Sequence, residues 1–269
     1  MAYQALYRVW RSQRFEDIVG QKAITQTLKN AIVQNQISHA YLFTGPRGTG
    51  KTSAAKIFAK AINCPNKEDG EPCNTCEICQ SITAGTQEDV IEIDAASNNG
   101  VEEIRFIRER ANYPPTQATY KIYIIDEVHM LSQAAFNAFL KTLEEPPAHA
   151  IFILATTEKH KIIPTILSRC QIYDFKRITI EDIQEHLRKI AEKENITYED
   201  DALYLIAQKA DGALRDALSI FDRLSTFSQK NITLEKAAEV LNILDYDQYL
   251  KIVDLAKEND IPGVLTAFD

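Results

Sequence analysis

The sequence predicts an α/β protein in which a parallel sheet is followed by a smaller domain made of helices. Four short runs have the composition of strands, namely 40–44, 90–94, 121–126 and 151–155, and the last two have the apolar composition of buried strands in a parallel sheet. Segments with helical spacing of their apolar residues alternate with these runs. This alternation implies right-handed crossovers and helices on both faces of a parallel sheet.

The strand-like runs stop after about Arg177, and only helical patterns follow. The amphipathic segments are 179–194, 199–209, 212–227 and 233–243, and two further helical stretches are predicted at 246–257 and 262–268. We therefore expect a small helical second domain, then the first helices of a third domain. Because the last pattern ends without a stop signal, we expect the natural chain to continue.

Charge and apolar content narrow the classes of function. The net charge is −8, whereas a protein that coats DNA non-specifically is usually basic. Any contact with nucleic acid is therefore expected to be local or shared with partner chains. No run of 18 apolar residues and no apolar leader occurs, so we predict a cytoplasmic protein without a membrane span.

A glycine-rich stretch after the first predicted strand has the G-x-x-x-x-G-K-T pattern of a phosphate-binding loop. It consists of Gly45, Pro46, Arg47, Gly48, Thr49, Gly50, Lys51 and Thr52. A helix-forming segment follows, so backbone N–H groups and the helix N-terminus can face one anion. Lys51 can reach the β- and γ-phosphates, and the Thr52 hydroxyl can bind Mg²⁺. The pattern predicts a site for a nucleoside triphosphate, which we take to be ATP, with magnesium.

An acidic pair at the end of the third predicted strand supplies the second half of such a site. Asp126 is expected to hold Mg²⁺ together with Thr52, and Glu127 to orient and polarise the attacking water. Thr156 and Thr157 end the next predicted strand, where a hydroxyl can sense the γ-phosphate or hold that water. The sequence thus predicts ATP hydrolysis.

Four cysteines lie close together in the chain, at positions Cys64, Cys73, Cys76 and Cys79. This spacing can place four thiolates around one tetrahedral ion, which predicts a structural zinc site without an open coordination position. Disulfides, redox chemistry and an iron–sulfur cluster are the alternatives. Cys170 stands apart and is predicted to be a small buried apolar residue.

Taken in order, these motifs resemble those of the AAA+ clamp-loader ATPases. The resemblance covers about residues 1–245 and is carried by 45–52, 92–97, 126–131, 140–147, 156–157, 168–170 and 212–216. It implies an AAA+ nucleotide-binding domain at 1–178 with a four-cysteine insert at about 63–81. A helical lid at 179–243 and the beginning of a collar domain at 244–269 complete the expected organisation.

The resemblance also implies roles for individual residues. Thr157, or alternatively Thr156, is the first sensor of the γ-phosphate. Arg169 is an arginine finger that acts on the adjacent subunit's ATP, and Arg215 is a second sensor that acts within its own subunit. The base pocket is implied at Tyr7, Arg8, Arg11, Ile18 and Val19. Ser12 departs from the family pattern, since relatives often carry proline there, which leaves the local turn open.

The function implied is ATP-driven clamp loading during DNA replication. In this family a five-subunit ring, containing δ-like and δ′-like subunits and further copies of the ATPase, opens the β sliding clamp on primer–template DNA. Lys141, Thr142 and Lys161 are candidates for DNA contact, with solvated surface charges as the alternative. No polymerase active site is apparent in the chain. The rival functions are an AAA+ helicase or branch-migration motor and a non-hydrolysing adaptor.

Overall fold

A five-stranded parallel sheet forms the centre of the protein in this computed structural model, which describes residues 4–242 and 253–268. Its strands are β1 (Ala40–Thr44), β2 (Val90–Asp94), β3 (Lys121–Asp126), β4 (Ala150–Thr156) and β5 (Gln171–Asp174). The strand order is β2-β3-β4-β1-β5, and every neighbouring pair is parallel. The predicted α/β class and all four predicted strands are confirmed. β5 was not predicted.

The chain divides into two compact units. The sheet unit comprises residues 8–179 and 212–215, and the helical unit comprises the rest of the described residues. Helices α1 to α7 are Leu6–Val9, Lys22–Val33, Lys51–Asn63, Glu77–Ala84, Val101–Ala111, Gln133–Glu144 and Pro164–Leu167. Helices α8 to α12 are Ile180–Glu194, Asp200–Lys209, Leu214–Phe227, Leu234–Val240 and Ile261–Phe268.

The sheet is covered on both faces, as the apolar strands require. One core packs Ile104 of α5 and Phe139 of α6 against alternate side chains of the strands, such as Phe152. The opposite core packs Leu28 of α2 and Phe58 of α3 against the remaining strand side chains. Because successive side chains of a strand point to opposite faces, the inner residues of β1, β3 and β4 must all be apolar, and polar residues occur only at the strand ends.

The helical unit contains the four helices predicted after the sheet, together with a small parallel pair of strands. This pair, β6 (Thr197–Tyr198) and β7 (Asn231–Ile232), was not predicted. Much of the predicted helix 246–257 lies outside the described residues, whereas 253–257 and α12 are helical. The collar domain remains a prediction. Among the described residues, no helix combines the length and apolarity needed to cross a membrane.

The ends of the parallel strands determine where chemistry can occur. β1, β3 and β4 all end at the same edge of the sheet, at Thr44, Asp126 and Thr156. The phosphate loop follows β1 directly, whereas Asp126 and Thr156 are the last residues of β3 and β4, and Glu127 and Thr157 follow them. Such an edge is where ligands bind in open parallel sheets.

Candidate nucleotide-binding site and cysteine cluster

The predicted phosphate loop adopts a backbone conformation that only its glycines allow without strain. Gly45, Gly48 and Gly50 have φ angles of 140°, 76° and 97°, in the region that side chains disfavour. A Cβ atom on Gly45 would lie 2.2 Å from the carbonyl oxygen of Phe175. Gly50 directly precedes α3, whose first N–H groups are therefore left to bind an anion.

Lys51 lies at the base of this loop and is only 6% exposed. Its ammonium donates to the carbonyl oxygens of Gly45 at 2.8 Å and Pro46 at 2.7 Å. Burial lowers the pKa of Lys51, and the carboxylates of Glu127 and Asp126 oppose that lowering. A phosphate anion bound in the loop would be a stronger partner for this ammonium than neutral carbonyl groups.

Thr52 and Asp126 meet, as the sequence predicts. The Thr52 hydroxyl donates to Asp126 Oδ2 at 2.8 Å, and the N–H of Glu127 donates to Asp126 Oδ1 at 3.0 Å. A hydroxyl and a carboxylate are the hard oxygen ligands that Mg²⁺ uses beside substrate phosphates. The two residues therefore fit a magnesium ion.

Glu127 is held by the next strand rather than left in solvent. Its backbone is left-handed, with φ 49°. Its Oε2 accepts hydrogen bonds from the N–H of Thr157 at 3.3 Å and from the Thr157 hydroxyl at 3.1 Å. The carboxylate that is expected to polarise water is thus oriented by Thr157.

His129 lies beside the acidic pair and was not predicted as a site residue. Its Nδ1 lies 2.9 Å from Thr156 Oγ1 and 3.4 Å from Glu127 Oε2, and its Nε2 lies 3.2 Å from Glu158 Oε2. The Thr156 hydroxyl also accepts from the N–H of Glu158, and Thr156 is fully buried. The hydroxyl groups of Thr156 and Thr157 are both hydrogen-bonded, so the choice of sensor stays a prediction. The available signal was the Asp-Glu-Val-His string at the strand end.

The residues expected around the base are brought together only in part. Arg11 Nε donates to Ser53 Oγ of α3 at 3.1 Å. A Cβ atom on Gly50 would be 3.7 Å from Ile18, which places Ile18 against the loop. Val19 is partly exposed and Arg8 is exposed, and Tyr7 belongs to the helical unit. For all five residues the base pocket stays a prediction.

The segment 212–215 belongs to the sheet unit. A Cβ atom on Gly48 would lie 2.9 Å from that of Ala213, so this segment packs against the phosphate loop. Burial lowers the pKa of Arg11, and the positive charge of Arg215 lowers it further. Glu92 and Asp126 act on Arg11 in the opposite direction. The positive charges of Arg215 and Arg11 therefore repel each other.

Arg169 has partners on the surface of its own unit. It pairs with Glu144 at 2.9 Å, and it donates to the carbonyl oxygen of Thr165 at 2.7 Å and to Ser168 Oγ at 3.2 Å. Its side chain is 32% exposed. None of these three partners belongs to the phosphate loop, so a role on a neighbour's nucleotide stays a proposal.

The DNA-contact candidates need one correction. Lys141 and Lys161 are exposed, and Lys161 pairs with Glu158. Thr142 is only 4% exposed, because it lies on the inner face of α6. The Thr142 side chain is therefore unavailable to a phosphate on the surface, and the prediction of a DNA contact there was wrong.

The four predicted metal-ligating cysteines converge. Their sulfur atoms all lie within 4.8 Å of one another, and those of Cys64 and Cys76 are 3.9 Å apart. Zinc–sulfur bonds of about 2.3 Å in a tetrahedron would place the sulfurs about 3.8 Å apart. All four thiols are free. Burial raises the pKa of Cys64 and Cys79, so a bound cation is needed to keep both as thiolates at neutral pH.

Two protein-family models match parts of this chain. A family model described as "DNA polymerase III, delta subunit" matches residues 20–179, and one described as "DNA polymerase III clamp loader subunit, ATPase lid domain" matches residues 182–238. The tau subunit of DNA polymerase III from Bacillus subtilis is 62% identical over 237 residues, which are 88% of this chain and 42% of that protein.

Two further relatives extend the match over nearly the whole chain. The tau subunit from Escherichia coli is 45% identical over 96% of this chain and 40% of its own length. The gamma subunit from Buchnera aphidicola subsp. Baizongia pistaciae is 42% identical over 100% of this chain and 72% of its own length. The chain therefore spans about two fifths of the tau relatives and nearly three quarters of this gamma relative.

Among solved structures, the RuvB Holliday junction branch migration motor of Thermotoga maritima matches with a TM-score of 0.63. The match covers 93% of this chain and 80% of that structure at 20% sequence identity. At this identity the likeness shows the AAA+ type of fold alone.

Proposed function

The chain belongs to the family of DNA polymerase III tau and gamma subunits, and we propose on that premise that it is an ATP-hydrolysing subunit of a DNA clamp loader. The observation that carries the proposal is the meeting of the two halves of the site. Thr52 of the phosphate loop contacts Asp126, whose neighbour Glu127 is held by Thr157. A bound magnesium ion would supply charge neutralisation at the β- and γ-phosphates.

Different residues of the sheet unit have different roles in the proposed hydrolysis. The loop N–H groups and Lys51 bind the phosphates, and Thr52 and Asp126 hold Mg²⁺. Glu127 orients and polarises the attacking water, while Thr157 keeps that carboxylate in place. Arg215 contacts phosphate within its own subunit, supported by the packing of Ala213 on Gly48. Phosphoryl transfer depends mainly on such positioning and charge stabilisation.

The remaining arginine, Arg169, is proposed to complete a neighbouring subunit's site. Its side chain is partly exposed. A phosphate could replace its present partners, the Glu144 carboxylate and the Thr165 carbonyl oxygen. In the ring, ATP binding would drive opening of the β sliding clamp, and primer–template DNA would trigger hydrolysis. The ring would contain δ-like and δ′-like subunits and further copies of this chain, in the bacterial cytoplasm at the replication fork.

The cysteine cluster is proposed to hold one zinc ion with a structural role. The four sulfurs fit a tetrahedron of zinc–thiolate bonds, and no position remains open for a substrate. A thiolate set of this kind also suits other soft cations, so metal analysis decides its occupant.

The rival functions have less support. A helicase or branch-migration motor shares the fold, but the relatives with high identity are named as DNA polymerase III subunits. A non-hydrolysing adaptor would not need Glu127 to be oriented by a threonine. The intact acidic pair and phosphate loop therefore favour a hydrolysing subunit.

The test is an ATPase assay on the assembled loader with β clamp and primed DNA. We expect Lys51→Ala to abolish most ATP binding, because it removes the buried ammonium at the phosphates. Arg169→Ala should retain ATP binding but lose hydrolysis on the order of 10³-fold, the usual worth of an arginine finger. Arg188→Ala is the matched control, since this ion-paired and similarly exposed arginine lies in the helical unit.

The possible outcomes of this assay test the role of Arg169 and the proposed function separately. DNA-stimulated hydrolysis that is unchanged in the Arg169→Ala assembly would overturn the role of Arg169 on a neighbour's ATP. Wild-type assembly without any clamp- and DNA-stimulated hydrolysis would overturn the proposed function itself.

A further inference from the structure

Lys60 is a buried cation that the proposed chemistry does not use. It lies on α3, about two helix turns beyond the phosphate loop, and is 2% exposed. Its ammonium donates to the backbone oxygen of Gln13 at 3.1 Å, to Gln13 Oε1 at 2.8 Å and to Asn74 Oδ1 at 2.7 Å. All three acceptors are neutral. Burying the ammonium is therefore costly unless the surrounding structure holds these acceptors in hydrogen-bonding positions.

The acceptors belong to two different parts of the chain. Asn74 lies between the metal-ligating Cys73 and Cys76, and its amide also donates to the Gln13 backbone oxygen at 3.3 Å. Gln13 lies in the entry segment, residues 11–19, which precedes α2. Lys60 therefore ties the cysteine insert to the entry segment.

The entry segment carries this connection to the nucleotide site. Gln13 Nε2 donates to the backbone oxygen of Arg11 at 3.1 Å, and Arg11 donates to Ser53 next to the phosphate loop. Ile18, at the other end of the segment, lies against Gly50. Movement of Gln13 would thus move the residues expected to contact the base.

Glu71 makes a second tie between the same two parts. Its carboxylate accepts from the N–H groups of Phe15 at 2.9 Å and Glu16 at 3.3 Å, and it pairs with Lys29 at 3.2 Å. Phe15 is buried in the core on the α2 and α3 face of the sheet. The insert therefore binds the backbone of the entry segment at Phe15, the residue whose side chain is buried in the core.

We propose that the cysteine insert positions the base-contacting entry segment through Lys60, Asn74 and Glu71, and so sets the affinity for the nucleoside part of ATP. These are positioning residues, since they act through Gln13 and Arg11. The inference rests on the proposed function, because it takes ATP as the ligand of the loop. It assigns the four-cysteine insert a role in nucleotide selection.

The two parts of the ligand allow a discriminating measurement. In the proposed site the loop and Lys51 hold the phosphates, whereas the entry segment is expected to contact the base. Loosening the entry segment should weaken binding of ATP while leaving binding of inorganic tripolyphosphate unchanged. A general loss of structure would weaken both.

The experiment measures Kd for MgATP and for magnesium tripolyphosphate by calorimetry on the protein with its metal. Lys60→Met removes the charge and keeps the length, and we expect it to raise Kd for MgATP about tenfold, the equivalent of one lost charge-assisted hydrogen bond. Asn74→Gly should act in the same direction. Asn74 has φ 59°, which glycine tolerates, so the backbone of the insert is preserved.

Lys67→Met is the matched control, since it removes an exposed lysine of the same insert that donates only weakly to the backbone oxygen of Ile62, at 3.4 Å. Metal content at the wild-type level shows that the insert is intact in each variant. Equal weakening of ATP and tripolyphosphate, or no change in either for Asn74→Gly, would overturn the inference. Wild-type protein that fails to bind MgATP would instead overturn the proposed function.

Discussion

Asp89 is a buried carboxylate that joins two segments of the sheet unit. It lies just before β2, is 1% exposed, and accepts hydrogen bonds from the N–H groups of Thr116, Gln117 and Ala118 at 2.8–3.0 Å. Burial by itself would raise the pKa of this carboxyl, but these hydrogen bonds outweigh it and lower the pKa below the ordinary value. Folding therefore favours the charged form.

The stability of the protein should depend on this charge. Since the pKa is lowered in the folded state, the stabilisation is present above the unfolded pKa of about 3.9 and is lost as the pH falls through the folded pKa. We expect Asp89→Asn to lower the free energy of unfolding by about 2 kcal/mol at pH 7. Urea unfolding of both proteins should give the same difference at pH 5 and a smaller one at pH 3.

Glu88→Gln is the control for this prediction, because it removes a neighbouring exposed carboxylate. A difference between wild type and Asp89→Asn that stays constant down to pH 3 would contradict the assignment of the pH dependence to Asp89.

Among individual residues, the sequence predicted those that belong to a motif with fixed spacing. It missed those whose role depends on contacts between distant parts of the chain. The loop, the acidic pair and the cysteines have fixed spacing in the chain, so Thr52, Asp126 and the four thiols were found. Lys60 has no such spacing, since its partners are 47 and 14 residues away. His129 and the burial of Thr142 likewise depend on packing that a pattern of residue types does not specify.

Among the elements, three of the four predicted strands, β1, β3 and β4, are buried almost throughout, whereas β2 is a partly exposed edge strand. β1 and β4 are buried at every residue, which gives the continuous apolar runs seen in the sequence. β5 is an edge strand that is mostly exposed, so Gln171 and Asp174 are tolerated and no apolar run results. β5 pairs with β1, which is distant in the chain, so the local sequence pattern does not predict this pairing.

The cysteine insert is the element whose metal content can be tested directly. We expect about one zinc ion per chain after purification without chelator. The double substitution Cys73→Ser with Cys76→Ser should remove the ion and lower the thermal midpoint, because structural zinc contributes folding free energy. Elemental analysis with a thermal melt measures both.

Cys170→Ser is the matched control, since Cys170 lies outside the cluster and packs against the core on the α5 and α6 face. Substantially less than one zinc ion per wild-type chain would count against the site. Retention of the ion by the double variant would also contradict the assignment of the ligands.

For the whole molecule, the two units are not continuous stretches of chain. Residues 212–215 lie within a predicted helical domain but cluster with the sheet unit. The carbonyl oxygen of Gly212 accepts from the N–H of Ile178, and Ala213 packs on Gly48. Helical periodicity reports which face of a helix is buried and not which unit buries it, so the sequence could not assign these residues.

The net charge of the whole chain determines how DNA contact can be tested. At −8, these 269 residues repel DNA on balance, so any DNA binding by them must depend on a few local cations. Lys141 is exposed, and Lys161 is exposed but paired with Glu158. We therefore expect Lys141→Ala to change DNA binding more than Lys161→Ala does.

The salt dependence of binding separates a phosphate contact from a solvated charge. Each phosphate contact contributes about 0.9 to the slope of log K against log salt concentration. Lys141→Ala in every copy of this chain should reduce that slope for primed DNA by about 0.9 for each copy in contact, measured by fluorescence anisotropy on the loader with ATP. Lys189→Ala, which removes an exposed lysine paired with Glu185 in the helical unit, should leave the slope unchanged. If Lys141→Ala behaves like Lys189→Ala, Lys141 is a solvated surface charge and not a contact to a DNA phosphate.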